Sequence, residues 1–229
     1  YGLTETSPVI SVNRENCNNP VTVGQPIPGL QIRLGDMEEL QVKGPTVMKG
    51  YWKRPDATAE VFTEDGWFKT GDQADLSDAG RIRIKGRIKE IIVTSTGEKI
   101  PPTDMELAIQ TDPLFEQVMV VGEARPFITA LAVVNEAEWE KFAKEFNVDP
   151  TDERMLMRRD IRMAALKRLK KAASRFPQYG IPRNIRLLKE HWTVDNGCLT
   201  VTMKLRRPII REKLRAEIDE LYTVPQNNV

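Results

Sequence analysis

The sequence predicts an α+β chain in two parts. A small β-barrel-like subdomain covers residues 1–86, a connection covers 87–89, and an α+β domain covers 90–229. Three observations carry this. Up to about Gly86, short apolar segments alternate with polar residues and are broken by Gly and Pro. After Lys89 the texture changes to strand-like runs mixed with longer helical patterns. A helix-period apolar stripe then marks the stretch from about Asp152 to Ser174.

The elements follow in order. Gln31-Ile32-Arg33-Leu34 and Glu39-Leu40-Gln41-Val42-Lys43 alternate as half-buried strands do, and Arg81-Ile82-Arg83-Ile84-Lys85 alternates again. Gly44-Pro45 and Asp65-Gly66 punctuate them, with one or two helical turns near Pro55–Glu60. Glu90-Ile91-Ile92-Val93 reads as a strand. Thr103 is then expected to cap a helix through Ile109, with Glu106 as its capping-box partner. Val118–Val121 and Ala130–Val134 read as a strand pair joined by Gly122–Pro126. The long helix buries Ile161, Ala165, Leu169 and Ala172. Its other face carries Arg158, Arg159, Arg162, Lys167, Arg168, Lys170 and Lys171. That face reads first as solvated, with CoA phosphates or anionic lipid as alternative partners. A last helix starts near Pro208, where proline suits the first turn, and buries Ile210, Leu214, Ile218 and Leu221.

Composition narrows the function classes. With 40% hydrophobic and 29% charged residues, the chain is ordinary for a globular protein. A net charge of +1 argues against a dedicated nucleic-acid binder. Two cysteines, Cys17 and Cys198, and the single His191 cannot build a disulfide framework or a four-ligand zinc site. That fits a reducing cytoplasm. No apolar run approaches the roughly 20 residues that span a bilayer, so any membrane association is expected to be peripheral. His191 beside Trp192 reads as a structural or surface residue.

Five short motifs remain: Tyr1-Gly2-Leu3-Thr4-Glu5, Gly50-Tyr51-Trp52, Lys69-Thr70-Gly71-Asp72, Gly86-Arg87-Ile88-Lys89-Glu90, and Asn196-Gly197-Cys198-Leu199-Thr200-Val201-Thr202-Met203-Lys204. Each alone is a turn signature. In this order and spacing they resemble the second half of the acyl-adenylate-forming enzymes, the superfamily of acyl-CoA synthetases, luciferases and peptide-synthetase adenylation domains. The last motif resembles the long-chain fatty acyl-CoA synthetase branch, although Val201 stands where proline is common there. The resemblance implies ATP-dependent activation of a fatty acid carboxylate, followed by transfer to CoA, with Mg²⁺ as cofactor. A fatty acyl-AMP ligase, a carboxylic acid reductase module and a non-catalytic nucleotide- or partner-binding module are the alternatives. The family's Ser/Thr/Gly-rich phosphate-binding loop does not occur between Tyr1 and Val229. The chain is therefore expected to be the C-terminal portion of a longer enzyme and inactive alone.

The resemblance also assigns roles. Tyr1 lies against the adenine, Gly2 is a nucleotide-binding residue beside it, Thr4 contacts the α-phosphate region, and Glu5 is the Mg²⁺ ligand, a hard oxygen for a hard cation. Asp72, expected at a loop tip after the Thr-Gly pair, accepts from the two ribose hydroxyls. Arg87 contacts the nucleotide, and Lys89 is the hinge that lets a C-terminal lid domain present two faces. Thr96 and Gly97 border the CoA thiol channel, and Lys99 meets nucleotide phosphates. Lys204 brings its charge to the α-phosphate and the substrate carboxylate. Gly50-Tyr51-Trp52 is expected to pack in the barrel.

Overall fold

A computed structural model describes residues 1–78 and 80–223. The last stretch of the predicted second domain, 224–229, lies outside the described residues. The chain divides into two compact units, Tyr1–Ile91 and Ile92–Val229.

The first unit holds β1 (Ser11–Val12), β2 (Gln25–Pro26), β3 (Gln31–Leu34), β4 (Glu39–Lys43), α1 (Pro55–Val61), β5 (Phe68–Asp75) and β6 (Arg83–Arg87). The alternation predicted β3 and β4 with these same limits, while β6 lies two residues further on than expected. The last four strands form an antiparallel sheet in the order β3-β4-β5-β6. It is an open sheet: among the described residues no strand closes it into a barrel. Its inner face packs Ile10, Leu40, Val42, Phe68, Ala74 and Ile82 into one core. The eight residues of β5 alternate buried and half-buried along their whole length. Thr70, Asp72 and Ala74 therefore share the inner face.

The second unit holds β7 (Ile92–Val93), β8 (Lys99–Ile100), α2 (Pro102–Ile109), β9 (Phe115–Val121), β10 (Thr129–Val134), α3 (Glu136–Glu145), α4 (Arg159–Ala172), β11 (Asn184–Leu188), α5 (Arg207–Lys213) and α6 (Arg215–Thr223). A three-stranded sheet runs β11-β10-β9, antiparallel between β9 and β10 and parallel between β10 and β11. All six residues of β10 are buried, because both sheet faces are covered. One face meets α2, α3 and α4 through Val118, Val120, Ala130, Ala132, Ile185 and Leu187. The other meets α5 and α6 through Met119, Val121, Leu131 and Val133.

Several expectations are corrected here. Thr103 is not the cap of α2. The helix begins at Pro102, after Pro101, without a side-chain cap, and Glu106 bonds elsewhere. The stretch 152–174 is not one helix, since a 3₁₀ turn, Glu153–Met157, ends at extended Arg158 before α4 begins. The final helix breaks at Leu214 into α5 and α6. On α4, Ile161, Ala165 and Leu169 are buried, whereas Ala172 is only half-buried and Ala173 takes its place. Two elements had readable signals. Asn135 caps α3 by accepting from the Glu138 N–H, and Trp139, Phe142 and Ala143 supply the buried stripe. Ile185 and Leu187 of β11 alternate inward.

Candidate functional site

In the first unit two segments distant in sequence, carrying Tyr1 and Arg87, meet at Asp72 on β5. Gln41 faces Lys69 and Glu39 faces Gln73, so β5 carries extra residues at Thr70–Asp72 and bulges. Gly71 supplies the left-handed φ of 72° that the bulge needs. The Thr70 hydroxyl donates to the Leu40 carbonyl at 2.7 Å and accepts from the Asp72 N–H at 3.1 Å. Asp72 is thus not at a loop tip, as its Thr-Gly prefix suggested. It is a strand residue, 4% exposed, on the inner face. The turn chemistry was spent on a bulge inside a continuous strand.

Around this carboxylate, Arg87 stands opposite in the β5–β6 register and places its Nε 2.9 Å from Oδ1. Its Nη1 also donates to the Thr70 carbonyl at 3.3 Å. The Tyr1 hydroxyl donates to Oδ2. Burial, and then the neighbouring Asp72 charge, push the Tyr1 phenol above its ordinary value, so it remains a donor throughout the neutral range.

Gly2 bridges Val9, and the 3₁₀ turn Thr4–Thr6 follows it. Thr4 is exposed and Glu5 half-buried. The Tyr51 hydroxyl donates to Glu5 Oε1 at 2.8 Å, which raises the Tyr51 pKa. Gly50-Tyr51-Trp52 therefore does not pack in a barrel core. Trp52 is 86% exposed, and Tyr51 reaches the Glu5 carboxylate. Residue spacing alone could not place a partner 46 positions away. Lys89 is exposed within the 3₁₀ turn Ile88–Glu90, just before the end of the first unit.

In the second unit Thr96 and Gly97 form the tip of the β7–β8 turn, closed by Thr94 N–H to the Glu98 carbonyl at 3.1 Å. Gly97 has φ 88° with open space where a Cβ would stand. The Thr94 and Thr96 hydroxyls both donate to the Glu98 carboxylate and lower its pKa. Lys99 is exposed on β8. Lys204 is exposed on a separate hairpin, where Leu199 bridges Leu205 and the Thr200 N–H reaches the Lys204 carbonyl at 2.9 Å. Met203 turns this hairpin at φ 62°. Cys198 is buried against the sheet, and His191 sits 3.3 Å from Glu116 at the surface.

At the base of that hairpin lies a pair that motif reading missed. Arg207 forks onto Glu106, with Nη1 and Nη2 each 2.6 Å from a carboxylate oxygen. Glu106 Oε1 also accepts the Val120 N–H at 2.8 Å. Among the described residues no group of three or more His, Cys, Asp or Glu is gathered to hold a metal, and no helix is long and apolar enough to cross a membrane.

Residues 89–225 match the AMP-binding enzyme C-terminal domain, and residues 1–52 match the AMP-binding enzyme family. A long-chain-fatty-acid–CoA ligase of Mycobacterium bovis is 37% identical over 97% of this chain and 37% of its own length. A chloroplastic long-chain-fatty-acid–[acyl-carrier-protein] ligase of Arabidopsis thaliana is 33% identical, over 97% of this chain and 32% of its own. Among solved structures, the A domain of a carboxylic acid reductase from Segniliparus rugosus, in complex with AMP and a co-purified carboxylic acid, superposes with a TM-score of 0.72. It is 27% identical, over 97% of this chain and 34% of that one. The chain spans about a third of the length of the curated relatives it matches. With the AMP-binding enzyme C-terminal domain matched over more than half of the chain, the chain belongs to the family of AMP-binding enzymes.

Proposed function

We propose that the complete protein carrying this chain is a cytoplasmic, ATP-dependent long-chain fatty acid:CoA ligase. Any membrane contact it makes is peripheral, and nucleic acid is not a partner. The observation that carries this reading is the buried Asp72, held between Tyr1 and Arg87, in a chain whose last motif ends on the exposed Lys204. The names of the curated relatives support the fatty acid and the CoA.

A fatty acid carboxylate is already ionised at neutral pH, with a pKa of about 4, so adenylation needs no general base. Positioning and charge stabilisation supply the catalysis. Tyr1 borders the adenine with Gly2 beside it in the nucleotide site, Asp72 accepts from the ribose hydroxyls, and Arg87 both aligns Asp72 and meets the nucleotide. Thr4 offers its exposed hydroxyl to the α-phosphate. Lys204 brings a mobile positive charge to the phosphorus as negative charge accumulates there. Lys99 meets nucleotide phosphates. A turn at Lys89 then exchanges the face presented, and the open backbone at Thr96 and Gly97 admits the pantetheine arm of CoA.

Glu5 fits Mg²⁺. It is a single accessible carboxylate oriented by Tyr51, and Mg²⁺ characteristically takes one or two carboxylates plus substrate phosphates rather than a protein cage. When bound, the ion neutralises phosphate charge.

The test is pyrophosphate exchange into ATP by the complete protein, run with carboxylates of increasing chain length. Acceptor dependence is then measured with CoA and with a holo-carrier protein. Exchange driven by long-chain acids and product formation with CoA support the reading. Absence of exchange with every acid removes it, and activity only with the carrier protein reassigns the acceptor.

A further inference from the structure

The Glu106–Arg207 pair lies outside every role above, yet its geometry is that of a clamp. Glu106 leaves α2 as one of the few buried charged side chains, 5% exposed. Strand β9 is an edge of the three-stranded sheet, so an outward-facing N–H on it lacks a strand partner. The Glu106 carboxylate accepts one of these, from Val120 at 2.8 Å, and receives the Arg207 fork on both oxygens. A bidentate Arg–carboxylate pair fixes orientation as well as distance. One carboxylate thus ties the sheet edge, helix α2 and the first residue of α5 together.

Arg207 is three residues beyond Lys204, and the hairpin that carries Lys204 is pinned at its neck. The Arg206 N–H reaches the Cys198 carbonyl at 2.8 Å, and Leu199 and Cys198 are buried against β9 and β10. Opposite, Lys213 Nζ holds the Asn196 carbonyl at 2.8 Å. Near the tip, Met203 adopts a left-handed φ of 62°, a conformation that side chains with a Cβ hold only where the surroundings enforce it. The exposed Lys204 therefore starts from a strained turn whose exit is fastened to the sheet by Arg207.

We propose that Glu106 and Arg207 are positioning residues that anchor the Lys204 hairpin to the sheet edge and so set the reach of the Lys204 ammonium. This rests on the adenylation role given to Lys204, but the anchoring itself does not. The fork does what a point charge cannot, so Arg207→Lys keeps the charge and loses part of the anchor.

Two measurements on the complete protein test it, with Arg168→Met as the matched control. Arg168 makes a comparable bidentate pair with Asp112, at 2.9 and 2.5 Å, in the same unit and away from the hairpin. The first measurement is the rate of tryptic cleavage after Lys204, followed by mass. Pro208 follows Arg207, so substitutions at Arg207 neither create nor remove a tryptic site. Arg207→Met should be cut roughly tenfold faster than Arg168→Met, with Arg207→Lys between them. The second compares adenylate formation with thioester formation from supplied acyl-adenylate. Arg207→Met should lower the first at least roughly tenfold more than the second, and Arg168→Met should lower both alike. If Arg207→Met is too unstable to purify, Arg207→Lys carries both comparisons. Equal cutting of the Arg207 and Arg168 variants overturns the anchor. Faster cutting without selective loss of adenylation overturns the positioning role. No exchange by the wild-type protein removes the functional reading and the catalytic half with it, while the tryptic comparison still decides the anchor.

Discussion

Lys204 and Asp72 show how differently one residue can be placed by its neighbours. Lys204 stands on a hairpin tip in water, with its backbone bonded to Thr200. A charged side chain that must meet a phosphorus centre gains from such freedom, and its removal should cost transition-state charge stabilisation of roughly 2.7–4 kcal/mol. Lys204→Ala in the complete protein is therefore expected to cripple acyl-adenylate formation while sparing thioester formation from supplied acyl-adenylate. Equal losses in both halves, measured separately, would take Lys204 out of this role. Asp72 is the opposite case, buried and doubly engaged. Asp72→Asn keeps the shape and removes the charge that Arg87 faces. Hydrogen bonds to charged groups are worth about 1.5–3 kcal/mol, so the KM for ATP should rise roughly ten- to hundredfold. An unchanged KM, with only a lower Tm, would make Asp72 a structural residue.

At the scale of elements, the Ile88–Glu90 turn matters most. It is one 3₁₀ turn, with Lys89 exposed at its middle, and the second unit starts two residues after it. Proline fixes φ near −65°, a value that 3₁₀ geometry itself uses, so Lys89→Pro should hold the turn rather than distort it. The expected outcome in the complete protein is that one half-reaction survives and the other is lost, because hinges absorb large backbone changes away from the reacting atoms. Lys89→Ala is the control, since it removes the charge and leaves rotation free. Rates for both halves should separate the variants, and equal slowing by proline and alanine would mean that the pivot lies elsewhere. The α4 face illustrates a second lesson. Arg158 pairs with Asp160, Arg168 with Asp112, and Arg162 donates to Asn184, so part of the basic run is internal fastening. Arg159, Lys167, Lys170 and Lys171 remain exposed on that helix.

For the molecule as a whole, each unit has its own core. The first is built around Leu40, Val42 and Phe68, and the second around both faces of the β9–β11 sheet. Residues 1–229 are therefore expected to fold cooperatively when expressed alone, as judged by circular dichroism and thermal unfolding. No phosphate-binding loop occurs within them, so the same preparation should give no pyrophosphate exchange with any fatty acid. Exchange above background, with contaminating synthetase excluded, would show that the site needs nothing beyond these residues.

What the sequence determined by itself is whatever depends on neighbours along the chain. The period-2 alternation of 31–34 and 39–43 fixed two strands to the residue, and the α+β order followed from texture. The spaced motifs singled out Tyr1, Thr4, Glu5, Asp72, Arg87 and Lys204. Tertiary structure alone decided what those side chains touch. A Thr-Gly-Asp run codes equally for a turn or a bulge, and only pairing with β4 turned it into a bulge that buries Asp72. A Thr with Glu three residues on codes for a capping box. Glu106 instead gained two charge-assisted bonds from Arg207, 101 residues away, along with a strand N–H that needed an acceptor. Local patterns report conformational preferences of order 1 kcal/mol, and buried, charge-assisted contacts between distant segments exceed them.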